Sequence, residues 1–184
     1  MKKSVSTLPG HVANLSHNKV IVFQNWITFV KGTTRVFRSS QPYYNGTDDT
    51  PQKFDAAAVA LLNNYGIKGL ISLNKKLLDS TSATVLSAAN ITYHHLAVKD
   101  FDTPTAPELL QGCKSIDSAL SKGNVLVFCG FGQGRTGTMI TAYDIYKLPK
   151  GSATSKLDAT IATSTAETND QEASLRALYK LLNP

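Results

Sequence analysis

The chain is short of the residues that would staple or anchor it. Its 184 residues include only two cysteines, Cys113 and Cys129, too few for the disulfide framework of a secreted scaffold. Free thiols in a reducing compartment, the cytoplasm, are the expectation, with export as an effector left open. Long apolar runs are missing as well. The stretch from Val20 to Val30 is broken by Gln24, Asn25 and Thr28, and it is too short to cross a bilayer. Met1-Lys2-Lys3 leads into Ser4, Ser6, Thr7, Pro9 and Gly10 rather than the apolar core of a signal peptide. No membrane span is expected. Runs of Lys and Arg with interleaved aromatics are also absent, which argues against nucleic acid as a partner. No repeat and no Pro-, Gly- or Ser-rich linker divides the chain.

What remains is an ordinary globular composition. Hydrophobic residues make up 42% and charged residues 17%, enough apolar surface to build one core and too little charge for a disordered chain. Lys and Arg exceed Asp and Glu by 19 to 13, a surplus that suits an anionic ligand. The reading is a flexible N-terminal arm over residues 1–18, low in apolar periodicity, followed by a single domain over residues 19–184.

Short β-type runs come first, at Val20 to Phe23, Ile27 to Val30 and Arg35 to Phe37, read as antiparallel strands at one sheet edge. The pattern then alternates. Thr50 reads as an N-cap with Pro51 at the first helical position and Gly66 as the stop. Lys68 to Leu73 reads as a buried strand, Ser80 to Ala89 as a weak helix and Ile91 to Leu96 as a strand. Thr105-Ala106-Pro107-Glu108 is a capping box that opens a helix ending at Gly123. Asn124 to Phe128 is a strand, Thr136 to Leu148 a helix, and a last helix covers Glu172 to Leu182. Alternating strands and helices imply an α/β fold, a mostly parallel twisted sheet with helices on both faces. Such sheets bind ligands beyond the carboxyl ends of their strands, which directs attention to the loop after Phe128.

That loop is Cys129-Gly130-Phe131-Gly132-Gln133-Gly134-Arg135. Glycines let successive N–H groups of residues 130–134 point inward as a nest for an anion, and the helix N-terminus adds positive potential. Arg135, six residues after Cys129, can close over the nest and hold two phosphate oxygens through its planar fork. The same field favours a thiolate: cysteines at helix N-termini or beside cations ionise well below the ~8.5 of a free thiol. Three other readings compete. A core cysteine beside a tight turn leaves the glycines and the arginine unexplained. Gly132 to Gly137 fits a dinucleotide fingerprint, but Asp158, at the required spacing, lies in a helix-like segment, and too little chain remains for that fold. A Walker loop needs lysine where this chain has Arg135.

Cys129-x-x-Gly132-x-x-Arg135-Thr136-Gly137 resembles the signature loop of the protein tyrosine phosphatases, particularly the small atypical dual-specificity type. Phe37-Arg38-Ser39-Ser40-Gln41-Pro42 is similar to an early segment of those enzymes, and Gly66 to Leu73 to their central strand. The resemblance covers roughly residues 35–145. It implies a cysteine-dependent phosphomonoester hydrolase that acts through a phosphocysteine on Cys129 and needs neither metal nor cofactor. Its partner would be a phosphorylated protein or a small phosphoester. It further implies an acid on a mobile loop, which Lys99-Asp100-Phe101-Asp102-Thr103-Pro104 would supply from Asp100, with Asp102 in reserve, the same carboxylate then acting as base toward the water that cleaves the phosphocysteine. Thr136 matches the hydroxyl that donates to the sulfur when the phosphoenzyme breaks down, beside a plain capping role. Gln171, in Glu167-Thr168-Asn169-Asp170-Gln171, is a candidate for positioning water, against the simpler reading of a solvated helix residue. Phe128 departs from the family, in which histidine usually precedes the nucleophile. His94 and His95 read as structural, and Cys113 as an inert core thiol. A module that binds phosphorylated ligands without turnover, and a phosphatase of inositol or other small-molecule phosphates, are the alternatives.

Overall fold

The computed structural model describes residues 12–27, 35–47 and 52–184. Among these, strands β1 (Val12–His17), β2 (Val20–Ile27), β3 (Val36–Ser40), β4 (Ile67–Ser72), β5 (Thr92–His95) and β6 (Asn124–Cys129) form one sheet in the order β1-β2-β3-β6-β4-β5. The helices are α1 (Ala56–Asn64), α2 (Ser80–Ala88), α3 (Ala106–Leu120), α4 (Gly134–Tyr146), α5 (Thr154–Ala162) and α6 (Asn169–Leu182). β3, β6, β4 and β5 run parallel, whereas β1 and β2 join antiparallel at one edge. The expected α/β arrangement is the one observed.

Two apolar cores sit on opposite faces of the sheet. Leu61, Leu62 and Leu86 of α1 and α2 pack with Trp26, Leu70 and Phe128. Leu109 and Ile116 of α3, with Met139, Leu157 and Leu175 from the later helices, pack on Val125, Val127 and Ile71. Along β6 successive side chains therefore enter opposite cores, and Val125 to Phe128 are fully buried. This central strand, flanked by β3 and β4, ends at Cys129 where neighbouring loops diverge, the crevice in which α/β sheets hold ligands.

The capping box is present as expected: the Thr105 hydroxyl accepts from Glu108 N–H, and Glu108 accepts from the Thr105 N–H at 2.7 Å. Three local expectations change. Residues 12–17 are not part of an arm but pair with β2; the turn is Asn18-Lys19, both at positive φ (48° and 67°), a hairpin geometry that a sequence without glycine there does not advertise. Val20 to Phe23 and Ile27 belong to one strand, interrupted by Asn25 at φ 52°, so the polar Gln24-Asn25 pair marks a bulge rather than a strand end. The first helix begins at Ala56, capped by the Asp55 carboxylate on Ala58 N–H at 3.0 Å. Thr50 and Pro51 lie outside the described residues, and Gln52 to Asp55 are not helical.

Candidate active site

Cys129 lies at the base of a cavity of about 150 Å³ lined also by Tyr44, Asp100, Phe131, Arg135 and Glu167. Strand β6 fixes the α-carbon, and the loop turns back so that Gly132 N–H donates to the Cys129 sulfur at 3.3 Å. Gly132 has φ +89°, and a β-carbon there would run into the backbone of Ser39 and Ser40. Both the turn and the close approach of β3 therefore require glycine. Gln41 N–H, at the end of β3, donates to the carbonyls of Cys129 at 2.7 Å and Gly130 at 3.0 Å. These bonds engage loop carbonyls on the outer side, as in an anion nest.

Arg38 completes this support from beneath. Its guanidinium is buried and donates to the Gly132 carbonyl at 2.7 Å, the Gln133 carbonyl at 3.2 Å and the Thr165 hydroxyl at 2.9 Å. Burial pulls its pKa down to about 10, opposed by the charges of Cys129 and Glu167. Arg35, Arg38 and Arg135 thus share a residue type but not a role: the first lies at the surface and the second holds the loop. The third forms one wall of the cavity.

Arg135 is 3% exposed. Its Nη1 donates to the carbonyls of Val98 at 2.8 Å and Leu73 at 3.3 Å, which orient the plane of the fork. Its Nη2 meets Asp100 Oδ1 at 3.0 Å. Asp100 comes from the loop after β5 and lines the cavity with the following Phe101, which is at φ 59° and half exposed. Asp102 is turned away: its carboxylate accepts from Thr103 N–H at 2.9 Å at the surface. The cleft therefore contains the first candidate acid and not the reserve one.

Thr136 is fully buried, and among the described residues its hydroxyl has no hydrogen-bond partner. The capping role is not observed, because the N-cap of α4 is Gln133, with no side-chain bond. Gln171 is not a solvated residue: it is 0% exposed. Its Oε1 accepts from Glu167 N–H at 2.7 Å and its Nε2 donates to the Asp102 carbonyl at 3.3 Å. It ties the acid-bearing loop to the segment before α6 and does not itself line the cavity. Phe128 faces the α1 side, its ring 5.9 Å from that of Phe54. His95 Nε2 is 2.8 Å from the Asn74 carbonyl, and burial lowers the pKa of His94; both fit a structural reading. Burial pushes the Cys113 thiol up to about 12, which keeps it protonated. Among the described residues no group of three or more His, Cys, Asp or Glu could hold a metal ion.

Tyr44 carries no sequence motif, and Glu167 stands in the sequence only as the first residue of the segment that contains Gln171. Glu167 reaches the cavity from the α5–α6 connection, and a β-carbon on Gly134 would collide with its carboxylate. Tyr44 joins its ring to that of Phe131, centroids 5.7 Å apart. The bulge in β2 supports both: Gln24 Nε2 donates to the Tyr44 carbonyl and Asn25 Nδ2 to the Phe131 carbonyl, each at 2.8 Å. The polar break inside an apolar run was the available signal.

A family model described as Tc-R-P, polymorphic toxin system, DSP-PTPase phosphatase, matches residues 48–148. The chain belongs to this family. Over 88 residues this phosphatase is 32% identical to the dual specificity protein phosphatase CDC14B of Mus musculus, which corresponds to 46% of the chain and 16% of the mouse protein. Its fold is similar to that of Tk-PTP in the active form, with a TM-score of 0.62 at 20% identity over 83% of this chain and 95% of that one. It is also similar to a mouse dual specificity phosphatase complexed with zinc tungstate, with a TM-score of 0.59 at 17% identity over 91% and 92% of the two chains. No helix among the described residues of the phosphatase is long and apolar enough to cross a membrane.

Proposed function

We propose that this phosphatase hydrolyses phosphomonoesters in two steps, with Cys129 as nucleophile, Arg135 and the loop amides of residues 130–134 as phosphate ligands, and Asp100 as acid. The observation that carries this reading is the shared cavity: Cys129, Arg135 and Asp100, brought from β6, α4 and the loop after β5, line one cleft. In the first step the thiolate forms a sulfur–phosphorus bond while the ester oxygen departs with its bonding pair and takes the proton of Asp100. Arg135 and the N–H nest hold the equatorial oxygens as charge develops. In the second step water forms a new oxygen–phosphorus bond and gives a proton to the Asp100 carboxylate, the sulfur leaves as thiolate and phosphate is released. Thr136, with its unengaged hydroxyl, is placed in the reading as donor to that departing sulfur.

Aryl and small alkyl esters, including phosphotyrosine and phosphoserine side chains, are the proposed substrates. A cavity of about 150 Å³ is the size that admits one benzene ring. The rim rings of Tyr44, Phe101 and Phe131 can flank such a group. Among the described residues Asp100 and Glu167 line the same cavity and no lysine does, which disfavours highly phosphorylated inositols. The activity should appear as vanadate-sensitive release of p-nitrophenol from its phosphate. Cys129→Ser should abolish turnover and retain phosphate-ester binding; turnover that survives this change would end the covalent reading.

Both cysteines are free and the family description names polymorphic toxin systems. On that basis we read the protein as an effector that works in the cytoplasm of a recipient cell. Expressed there, the active form should slow growth and the Cys129→Ser form should not; equal growth with both would remove this assignment.

A further inference from the structure

The buried stripe of α6 is Gln171, Ser174, Leu175 and Leu178, spaced as one helix face. The two leucines enter the core with Met139 of α4. The two polar members, toward the N-terminus, both donate to carbonyls of the acid-bearing loop: Gln171 Nε2 to Asp102 at 3.3 Å and Ser174 Oγ to Pro104. We propose that Gln171 is a positioning residue for the first chemical step, fixing where Asp100 stands when the ester oxygen departs. The inference rests on the reading of Asp100 as acid and adds to it a residue outside the cavity.

The loop is short and held at both ends. Asp102 N–H donates to the Lys99 carbonyl at 3.0 Å, closing a turn in which Asp100 and Phe101 are the central pair. On the near side Arg135 Nη1 holds the Val98 carbonyl at 2.8 Å, and on the far side Gln171 holds that of Asp102. Gln171 is itself fixed. It is 0% exposed, its Oε1 accepts from Glu167 N–H at 2.7 Å, and its own N–H donates to the Thr168 hydroxyl at 3.1 Å. A buried amide is costly unless both of its ends are bonded. Here both are, to backbone groups of segments that reach the cavity through Asp100 and Glu167. Because α6 packs on α4, the helix that bears Arg135, the tie and the proposed phosphate ligand stand on one frame. Gln171 does not line the cavity, so it acts on Asp100 through the turn rather than on water. Proton transfer needs this precision. As the sulfur–phosphorus bond forms, the ester oxygen leaves with its bonding pair and takes the Asp100 proton, and a misplacement of about 1 Å can cost about 10²-fold.

The test uses two esters that differ by a nitro group. p-Nitrophenyl phosphate loses a weakly basic oxygen that needs little protonation, whereas phenyl phosphate loses one as basic as that of tyrosine and needs the acid. The constant kcat/KM covers events up to the departure of that oxygen, so its ratio between the two esters reports proton donation in the first step. Gln171→Met, of similar size, should raise the ratio in favour of p-nitrophenyl phosphate by about 10-fold, and Asp100→Asn by about 10²-fold. The double variant should match Asp100→Asn alone, because the two residues act as a unit. Ser174→Ala removes a single oxygen and should move the ratio in the same direction, so it carries the test if Gln171→Met does not fold. A native ratio in Gln171→Met and Ser174→Ala, with the ratio raised in Asp100→Asn, overturns the proposal. Equal losses of kcat/KM on both esters do so too, as the mark of a structural role. A fall in kcat with kcat/KM unchanged would place Gln171 on the water of the second step and overturn it as well. A native ratio in Asp100→Asn would instead remove the reading of Asp100 as acid, and the inference with it.

Discussion

Arg38 lies directly beneath Gly132, with its Nη2 2.7 Å from that residue's carbonyl oxygen. A buried cation thereby holds the outer side of the loop whose inner side is proposed to receive phosphate. Hydrogen bonds from charged donors contribute about 1.5–3 kcal/mol each when their partner would otherwise be stranded. Arg38→Met should therefore lower kcat/KM for aryl phosphates by roughly 10–100-fold and lower the unfolding temperature. Steady-state kinetics with a thermal melt check it. Native kinetics in Arg38→Met would show that Gln41 and the β3 backbone hold the loop alone.

The two lid aspartates should separate cleanly. Asp100→Asn is expected to lower kcat by about 10²–10⁴-fold on phosphoserine peptides, and by less on p-nitrophenyl phosphate, whose leaving group needs little help. Asp102→Asn should stay within a few-fold of the unaltered enzyme, because that carboxylate caps its own turn. Paired kinetics on the two substrates decide it; the opposite order would move the acid by two residues.

Phe128 is committed to packing. Its ring is fully buried against Phe54 on the α1 side of the sheet, so Phe128→His would bury an imidazole among apolar side chains. The expected cost is about 1–3 kcal/mol, seen as a melting temperature lower by roughly 5 °C. Denaturant titration gives the same quantity independently. A mutant of undiminished stability would show that a polar partner is within reach of position 128.

Alkaline pH should expose the state of Cys113. The buried thiol holds its proton to about 12, against an ordinary value of 9.0. Below about 9 both folded and unfolded chains are protonated there and the residue has no pH effect. Between the two values the unfolded chain alone ionises, so folded stability falls as pH rises. Cys113→Ala should therefore lose less stability than the native protein between about pH 8 and about pH 10.5. Urea titrations at the two values measure the difference; equal losses would assign the alkaline instability to tyrosines such as the half-buried Tyr43, pushed up to about 12 by burial and Asp55.

The legible parts of this molecule are those written locally. The buried run Val125 to Phe128, the Thr105 capping box and the spacing from Cys129 to Arg135 each depend on residues a few positions apart, and each lies where the pattern puts it. The hairpin strand β1 was illegible because Asn18 and Lys19 adopt left-handed conformations that glycine would have signalled. Asp55 displaced Thr50 as the expected helix cap because a Pro after a threonine is a common start, while Gln52 to Asp55 take no helical turn. Arg38 and Glu167 stand in segments the sequence marks, but the contacts they make were out of reach for a different reason. Arg38 contacts the loop 94 positions away, and Glu167 meets the first glycine of α4 across the whole of α5. Only tertiary packing brings such pairs together.

The ion pair between Arg135 and Asp100 also governs how often the site is open for business with an anion. On the proposed reading phosphate takes the place of a carboxylate already seated on Nη2, 3.0 Å away, and the loop bearing that carboxylate is further tied by Gln171 to the Asp102 carbonyl and by Ser174 to the Pro104 carbonyl. Binding is therefore an exchange of partners, and the apparent dissociation constant is the intrinsic one divided by the fraction of time Arg135 is released. Capture of substrate is gated by the lifetime of an internal contact, so solution viscosity and loop substitutions would act on association even where no atom of the substrate is touched.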